Sequence, residues 1–153
     1  MSQKDLHRFF QAQNNGSPST YNSALAELAK GRKTGHWIWF VLPQLAGLGH
    51  SEMAKRYGLA DLEEARDYLA DPLLGQRLQA VISVIDEQLN QPAQSLELLM
   101  GGELDAAKTV SSLTLFEAAG MKSASLLLDR IGRRCERTLH KCRSDSQIDR
   151  QTL

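Results

Sequence analysis

Between residues 5 and 142 apolar side chains recur at helical spacing, interrupted only by short clusters of Gly, Pro, Asn and Ser, and this pattern makes an all-α chain the expected outcome. Leu6, Phe9 and Phe10 line one side of a segment over residues 5–13, which Asn14, Asn15, Gly16, Ser17 and Pro18 break. Ser19 or Thr20 caps the next segment, where Tyr21, Ala24, Leu25 and Leu28 fall at i, i+3, i+4 and i+7 before Gly31 offers a left-handed stop. Ser51 opens a short helix closed by Gly58, and Asp61 with Glu64 makes a capping-box pattern ahead of Leu62, Ala65, Tyr68 and Leu69. Pro72 suits the first turn of a longer helix that reaches about Leu89, with Leu74, Leu78, Val81, Ile82 and Ile85 on one side. Residues 93–100, 105–119 and 123–142 complete a compact bundle of about six to eight short and medium helices. The polar residues 143–153 are expected to form a loosely held tail. No repeat, linker or low-complexity tract divides the chain, so residues 1–153 read as a single helical domain.

One segment fits two shapes. Residues 36–42 are aromatic and β-branched, which suits a buried strand as well as a buried helix, and the helical neighbours favour helix.

With 153 residues, 42% of them hydrophobic, one domain buries about 65 to 70% of its unfolded surface. Eighteen basic and eighteen acidic residues cancel, which removes the global field that draws phosphate backbones or an anionic membrane. Nucleic-acid binding would need a local patch. No apolar run approaches the roughly 18 residues of a membrane span. The start MSQKDLHRFF lacks a charged region followed by an apolar core, and two cysteines do not make a secreted disulfide framework. A soluble cytoplasmic protein is expected.

Unusual side chains concentrate in residues 31–49, GRKTGHWIWFVLPQLAGLG. Trp37 and Trp39 point to opposite faces of a strand and lie about 200° apart on a helix, so they are expected in different environments, one in the core and the other lining a cavity where a ring can stack a planar ligand; the plainer reading makes both mainly structural. His36 is a candidate acid or base, because an imidazole exchanges protons near neutral pH, and equally a hydrogen-bonded anchor. Gln44 offers a donor and an acceptor, as an amide or base edge requires. Lys30, Arg32 and Lys33 form a positive cluster at the end of a helix, where they offset its dipole; folded over the same pocket, Arg32 and Lys33 would hold a phosphate or carboxylate.

The second candidate stretch is residues 105–116, DAAKTVSSLTLF. Lys108 lies three and four positions before Ser111 and Ser112, near enough on a helix for one polar surface that activates a hydroxyl or holds a phosphate. The bland reading is that the serines cap a new turn before Leu113. The spacing of His7, His36, His50 and His140 gives no zinc motif, and the glycines give neither a phosphate loop nor a dinucleotide fingerprint, so neither a metal nor a cofactor is expected. Cys135 and Cys142, two turns apart on one expected helix, are separated by about 10 Å, too far for a disulfide, and read as reduced core thiols.

Four stretches of the chain together resemble the DUF1810 family: FFQAQ at 9–13, residues 21–59 with GRKxxHWxWFxxPQ at 31–44, LEEARDYLADPLLGQRL at 62–78, and SSLTLFEAA at 111–119. The resemblance spans about residues 7 to 130. It implies a small, mainly α-helical single domain with no established reaction. Its signature falls on His36, Trp37, Trp39, Pro43 and Gln44, and a second block on Lys108, Ser111, Ser112, Thr114 and Phe116. Members often carry a proline and acidic residues before that lysine, where this chain has GGELDAA, and a glycine-containing FFxG segment near the end, where this chain has RRCERTLHKCRSDSQIDRQTL. Asp149, Thr152 and Leu153 retain the ending.

Two functions are compatible with these residues. In the first, a small-molecule-binding domain or enzyme takes a phosphorylated or nucleotide-derived ligand, with His36, Lys108, Ser111 and Ser112 as catalytic candidates and Arg32, Lys33, Trp37, Trp39, Gln44 and Thr114 as ligand contacts. In the second, a noncatalytic adaptor presents tryptophan and basic anchors to a protein partner. Convergence of His36, Lys108 and Ser111 or Ser112 on one cavity would favour the first.

Overall fold

The computed structural model describes residues 5–152, with side chains through residue 144. Among these residues there are ten helices: α1 (His7–Asn14), α2 (Thr20–Ala29), α3 (Ile38–Val41), α4 (Glu52–Tyr57), α5 (Leu62–Ala70), α6 (Pro72–Gln88), α7 (Leu96–Met100), α8 (Glu103–Ala118), α9 (Lys122–Ile131) and α10 (Glu136–Thr152). Extended pairing among them amounts to a single parallel bridge, Leu45 with Leu59. The ambiguous aromatic segment is one helical turn, with His36 and Trp37 ahead of it.

Side-chain caps set five of the helix starts. Ser19 accepts from Asn22 N, Ser51 from Ala54 N, Asp61 from Glu64 N and Ser95 from Leu98 N. Asp71 accepts from Leu73 N and Leu74 N with Pro72 in the first turn of α6. Glu64 returns to Ala60 N at 2.7 Å, one residue before the usual capping-box partner.

Helix α8 runs through the middle of the bundle and packs against α3, α5, α7, α9 and α10. Residues 109–116 are buried without a break, so this part of the helix has no polar face for a sequence period to show. Its hydroxyls are mostly satisfied inside: Thr109 and Thr114 donate to the carbonyls of Asp105 and Val110, at 2.8 and 2.7 Å. Ser111 and Ser112 therefore do not cap a turn; both are mid-helix.

The expected helix over residues 123–142 is two helices. Gly132, at φ +91°, ends α9 in the left-handed region, and Arg133, Arg134 and Cys135 pass to α10 outside helical structure. Cys135 thus sits just ahead of α10, partly exposed, while Cys142 lies inside it and is buried; neither is in a disulfide. Helical backbone continues to Thr152, and the side chains of the expected tail from residue 145 onward lie outside the described residues.

Buried Gln13 ties α1 to the aromatic turn and to α5. Its amide donates to Phe40 O at 2.7 Å and to the Tyr68 hydroxyl at 3.1 Å, and accepts from Arg77 at 3.1 Å. Phe9, Tyr57, Phe40, Tyr68 and Phe116 form a chain of ring contacts between 5.1 and 5.9 Å around it. This rigid floor fixes the direction of α3 and hence of Trp39.

Candidate functional site

The loop after α2 is organised by one carboxylate. Glu27 Oε1 accepts from the backbone N–H of Thr34, the backbone N–H of Gly35 and the indole N–H of Trp37, each at 2.8 Å. Burial by itself would raise the Glu27 carboxyl, but the donors of Gly35, Trp37 and Thr34 outweigh it and hold the group below its ordinary value. Close approach dictates glycine at 35, since a Cβ there would lie 2.9 Å from Glu27 Oε2 and 3.0 Å from Trp37 Cδ1. The depressed carboxyl stabilises the fold fully above its unfolded value of about 4.3, and that contribution is lost as pH falls through the lower folded value. The stability gap between the wild type and Glu27→Gln in urea unfolding should therefore be widest near neutral pH and shrink below about pH 4. A gap that stays constant into more acidic solution would mean that the charge on Glu27 contributes nothing.

A pair of lysines meets at this loop, Lys33 from the loop itself and Lys108 from α8. Lys33 is buried, with its ammonium 2.7 Å from Asp105 Oδ2, donating to Gly35 O at 2.6 Å, and 5.1 Å from the centre of the Trp37 ring. Lys108, one turn after Asp105 on α8, approaches the other oxygen, Oδ1, at 3.7 Å and stands 5.4 Å from the centre of the Trp39 ring. One carboxylate serves two ammonium groups, each over an indole. Lys33 holds the short contact, whereas Lys108, with a quarter of its side chain exposed, holds a contact longer than a hydrogen bond. The group therefore carries an excess positive charge on its solvent side.

Trp39 also walls a narrow cleft with Gln44, Gly49, Ala54, Tyr57 and Gly58. The enclosed space is about 10 Å³, room for about one water, so a larger ligand would lie across the rim rather than inside it. Trp37, by contrast, is 1% exposed and belongs to the core. The two indoles divide into a structural ring and an accessible one.

The remaining sequence candidates are dispersed. His36 and Arg32 are exposed on the loop. Ser111 is buried and bonded to the Thr138 hydroxyl at 3.0 Å in the α8–α10 seam. Thr114 accepts from Cys135 N at 3.0 Å in that same seam. Ser112 is fully buried one turn beyond Lys108, and its hydroxyl has no partner among the described residues. The structure brings Lys33, Trp37, Trp39 and Lys108 together; it does not gather His36, Lys108 and the two serines around one cavity.

Two residues of this constellation, and one in the α8–α10 seam, escape a sequence reading. Asp105 lies three positions before Lys108, a helical ion-pair spacing that signals the pairing, and it supplies the acidic partner that GGELDAA otherwise obscures. Glu27 carries no local signal, because its partners are seven to ten residues away. Cys135 becomes distinctive only through its position ahead of α10: burial opposes ionisation, but donors from Thr138 and Arg137 of α10 and Ser111 of α8 lower its thiol below the ordinary range. Among the described residues no three His, Cys, Asp or Glu side chains are grouped as a metal would require. No helix there is long and apolar enough to cross a membrane.

The family described as "Protein of unknown function (DUF1810)" matches residues 3–141. A crystal structure of a conserved hypothetical protein from Mycobacterium tuberculosis is similar to this fold with a TM-score of 0.80 and 41% identity, over 89% of this chain and 94% of that one. No curated protein matches the chain.

Proposed function

This chain belongs to the DUF1810 family, and from its own side chains we propose that it binds an anionic small molecule with a planar part, phosphorylated or nucleotide-derived, at the Lys108–Trp39 face. The observation that carries this reading is the sharing of Asp105: Lys33 takes its short contact, leaving the Lys108 ammonium weakly neutralised beside an accessible indole. An incoming anion gains a charge-assisted contact with Lys108, while a flat group stacks on Trp39 and the Gln44 amide offers a donor and an acceptor at the rim. Lys33 and Trp37 form the support beneath. Exposed Arg32 and His36 are further polar groups on the adjoining loop, available to a ligand that extends past the rim. A cytoplasmic setting suits the two cysteines, neither of which is in a disulfide, since thiols stay reduced there.

The test is a thermal-shift and fluorescence screen of nucleotides, sugar phosphates and NAD-derived metabolites, since a ligand that binds only the folded state raises its apparent stability. A saturable shift accompanied by tryptophan quenching is expected, with the shift lost in Lys108→Ala and the quenching lost in Trp39→Phe. Shifts that survive both substitutions would place the ligand elsewhere. No shift from any anion would sink the reading and transfer weight to a protein-binding role, for which Leu98 and Leu104, 57% and 72% exposed on either side of the α7–α8 turn, are the strongest feature.

A further inference from the structure

Gln44 stands on fixed backbone at the Trp39 cleft. Its carbonyl accepts from Leu59 N at 2.9 Å and Ala46 N donates to Leu59 O at 2.7 Å, which frames the Leu45–Leu59 bridge with both leucines buried. Glycine at 58 permits this close approach, since a Cβ there would lie 2.8 Å from Ala46 Cα. The side chain is held by nothing of the kind. Gln44 lines the cleft together with Trp39 and Tyr57, yet its amide has no hydrogen-bond partner among the described residues. Tyr57 repeats the pattern: it is 7% exposed, with its ring 5.9 Å from Phe9 and 5.2 Å from Phe40, and its hydroxyl also has no partner there. Two uncommitted polar groups therefore share one small cleft with the accessible indole.

Resting on the ligand-binding reading above, we infer that Gln44 determines specificity by pairing with the polar edge of a nucleobase stacked on Trp39, so that the ligand is a nucleotide rather than another aromatic or sugar phosphate. The amide offers a donor beside an acceptor, and only a ligand edge with an acceptor beside a donor satisfies both. Each common nucleobase has such an edge. Adenine and cytosine carry an amino group next to a ring nitrogen, guanine and uracil a carbonyl next to a ring N–H, and the amide turns over to suit either order. A plain aromatic ring has no such edge. The size of the cleft agrees with this pairing: its enclosed space of about 10 Å³ admits one water-sized group, so a base places only its polar edge inside and leaves its face on the indole. Lys108, 5.4 Å from the centre of the Trp39 ring, is left for the phosphate that one ribose joins to the base.

The experiment titrates AMP, purine riboside 5′-monophosphate and ribose 5-phosphate calorimetrically into the wild type, Gln44→Met and Lys108→Ala, with urea midpoints to check that each protein is folded. Purine riboside 5′-monophosphate is AMP without its amino group, so its edge keeps the ring-nitrogen acceptors and has no donor. In the wild type AMP is expected to bind about tenfold or more tightly than either of the other probes. Methionine matches glutamine in length and lacks the amide, so in Gln44→Met the two purines should bind alike, while ribose 5-phosphate binds as it does to the wild type. Equal affinity of the wild type for AMP and its amino-free analogue overturns the inference. So does a uniform weakening of all three probes by Gln44→Met, which is the result a merely structural glutamine would give. In either case, binding of ribose 5-phosphate that Lys108→Ala abolishes leaves the ligand-binding reading standing. Absence of binding by all three probes overturns the inference together with its premise.

Discussion

Trp37→Ala is expected to destabilise the fold by about 3–5 kcal/mol, a large part of the roughly 5–15 kcal/mol that holds a domain together. The indole is 1% exposed, so its removal leaves a cavity that the surrounding helices fill only in part. It also deletes one of three donors to Glu27 and the ring against which Lys33 rests. The partly exposed Trp39 supplies the internal comparison: alanine there should cost about 1–2 kcal/mol, because much less area returns to water. Urea unfolding midpoints of the two variants measure the difference. Equal losses would contradict the division of the pair into a structural and an accessible ring.

Asp105→Ala should cost about 3 kcal/mol, because it strands the buried ammonium of Lys33 with one carbonyl for company. Removing Lys108 instead should cost under about 1 kcal/mol, since that lysine is partly hydrated and its contact with Asp105 is long. The decisive variant combines Lys33→Met with Asp105→Ala. A methionine keeps an apolar stem against Trp37 and brings no charge to desolvate, so the double variant should recover most of the stability lost by Asp105→Ala alone. A double variant no more stable than the single one would show that the cost lies in lost packing around Asp105, not in an unpaired lysine.

Several helix starts were legible because each depends on residues within four positions of one another: Ser19, Ser51 and Asp61 cap where their neighbours in sequence require, and Pro72 fills the first turn of α6. The break at Gly132 was also encoded locally, yet the apolar period on both sides, Leu127, Leu128 and Ile131 before and Cys135 and Leu139 after, continues closely enough to hide it. Helix α8 misled for the opposite reason. Its stretch 109–116, buried on every side, has no period, and Ser111 and Ser112 within it resemble a cap.

The site was legible in part. GRKxxHWxWFxxPQ and Lys108 identify side chains that do meet, but His36 faces solvent and Ser111 serves the seam with α10. Their sequence spacing said nothing about direction.

By itself, then, the sequence determined an all-α chain, most of its helix boundaries and the family to which it belongs, since capping, periodicity and motif spacing act over short stretches of chain. Tertiary structure alone decided that Asp105 serves Lys33 and Lys108 together, that Glu27 gathers three N–H donors, and that Gln44 shares a cleft with Trp39 and Tyr57. Charge sharing and burial depend on distances through space, and only the packing of α2, α4, α7 and α8 around the loops sets those distances.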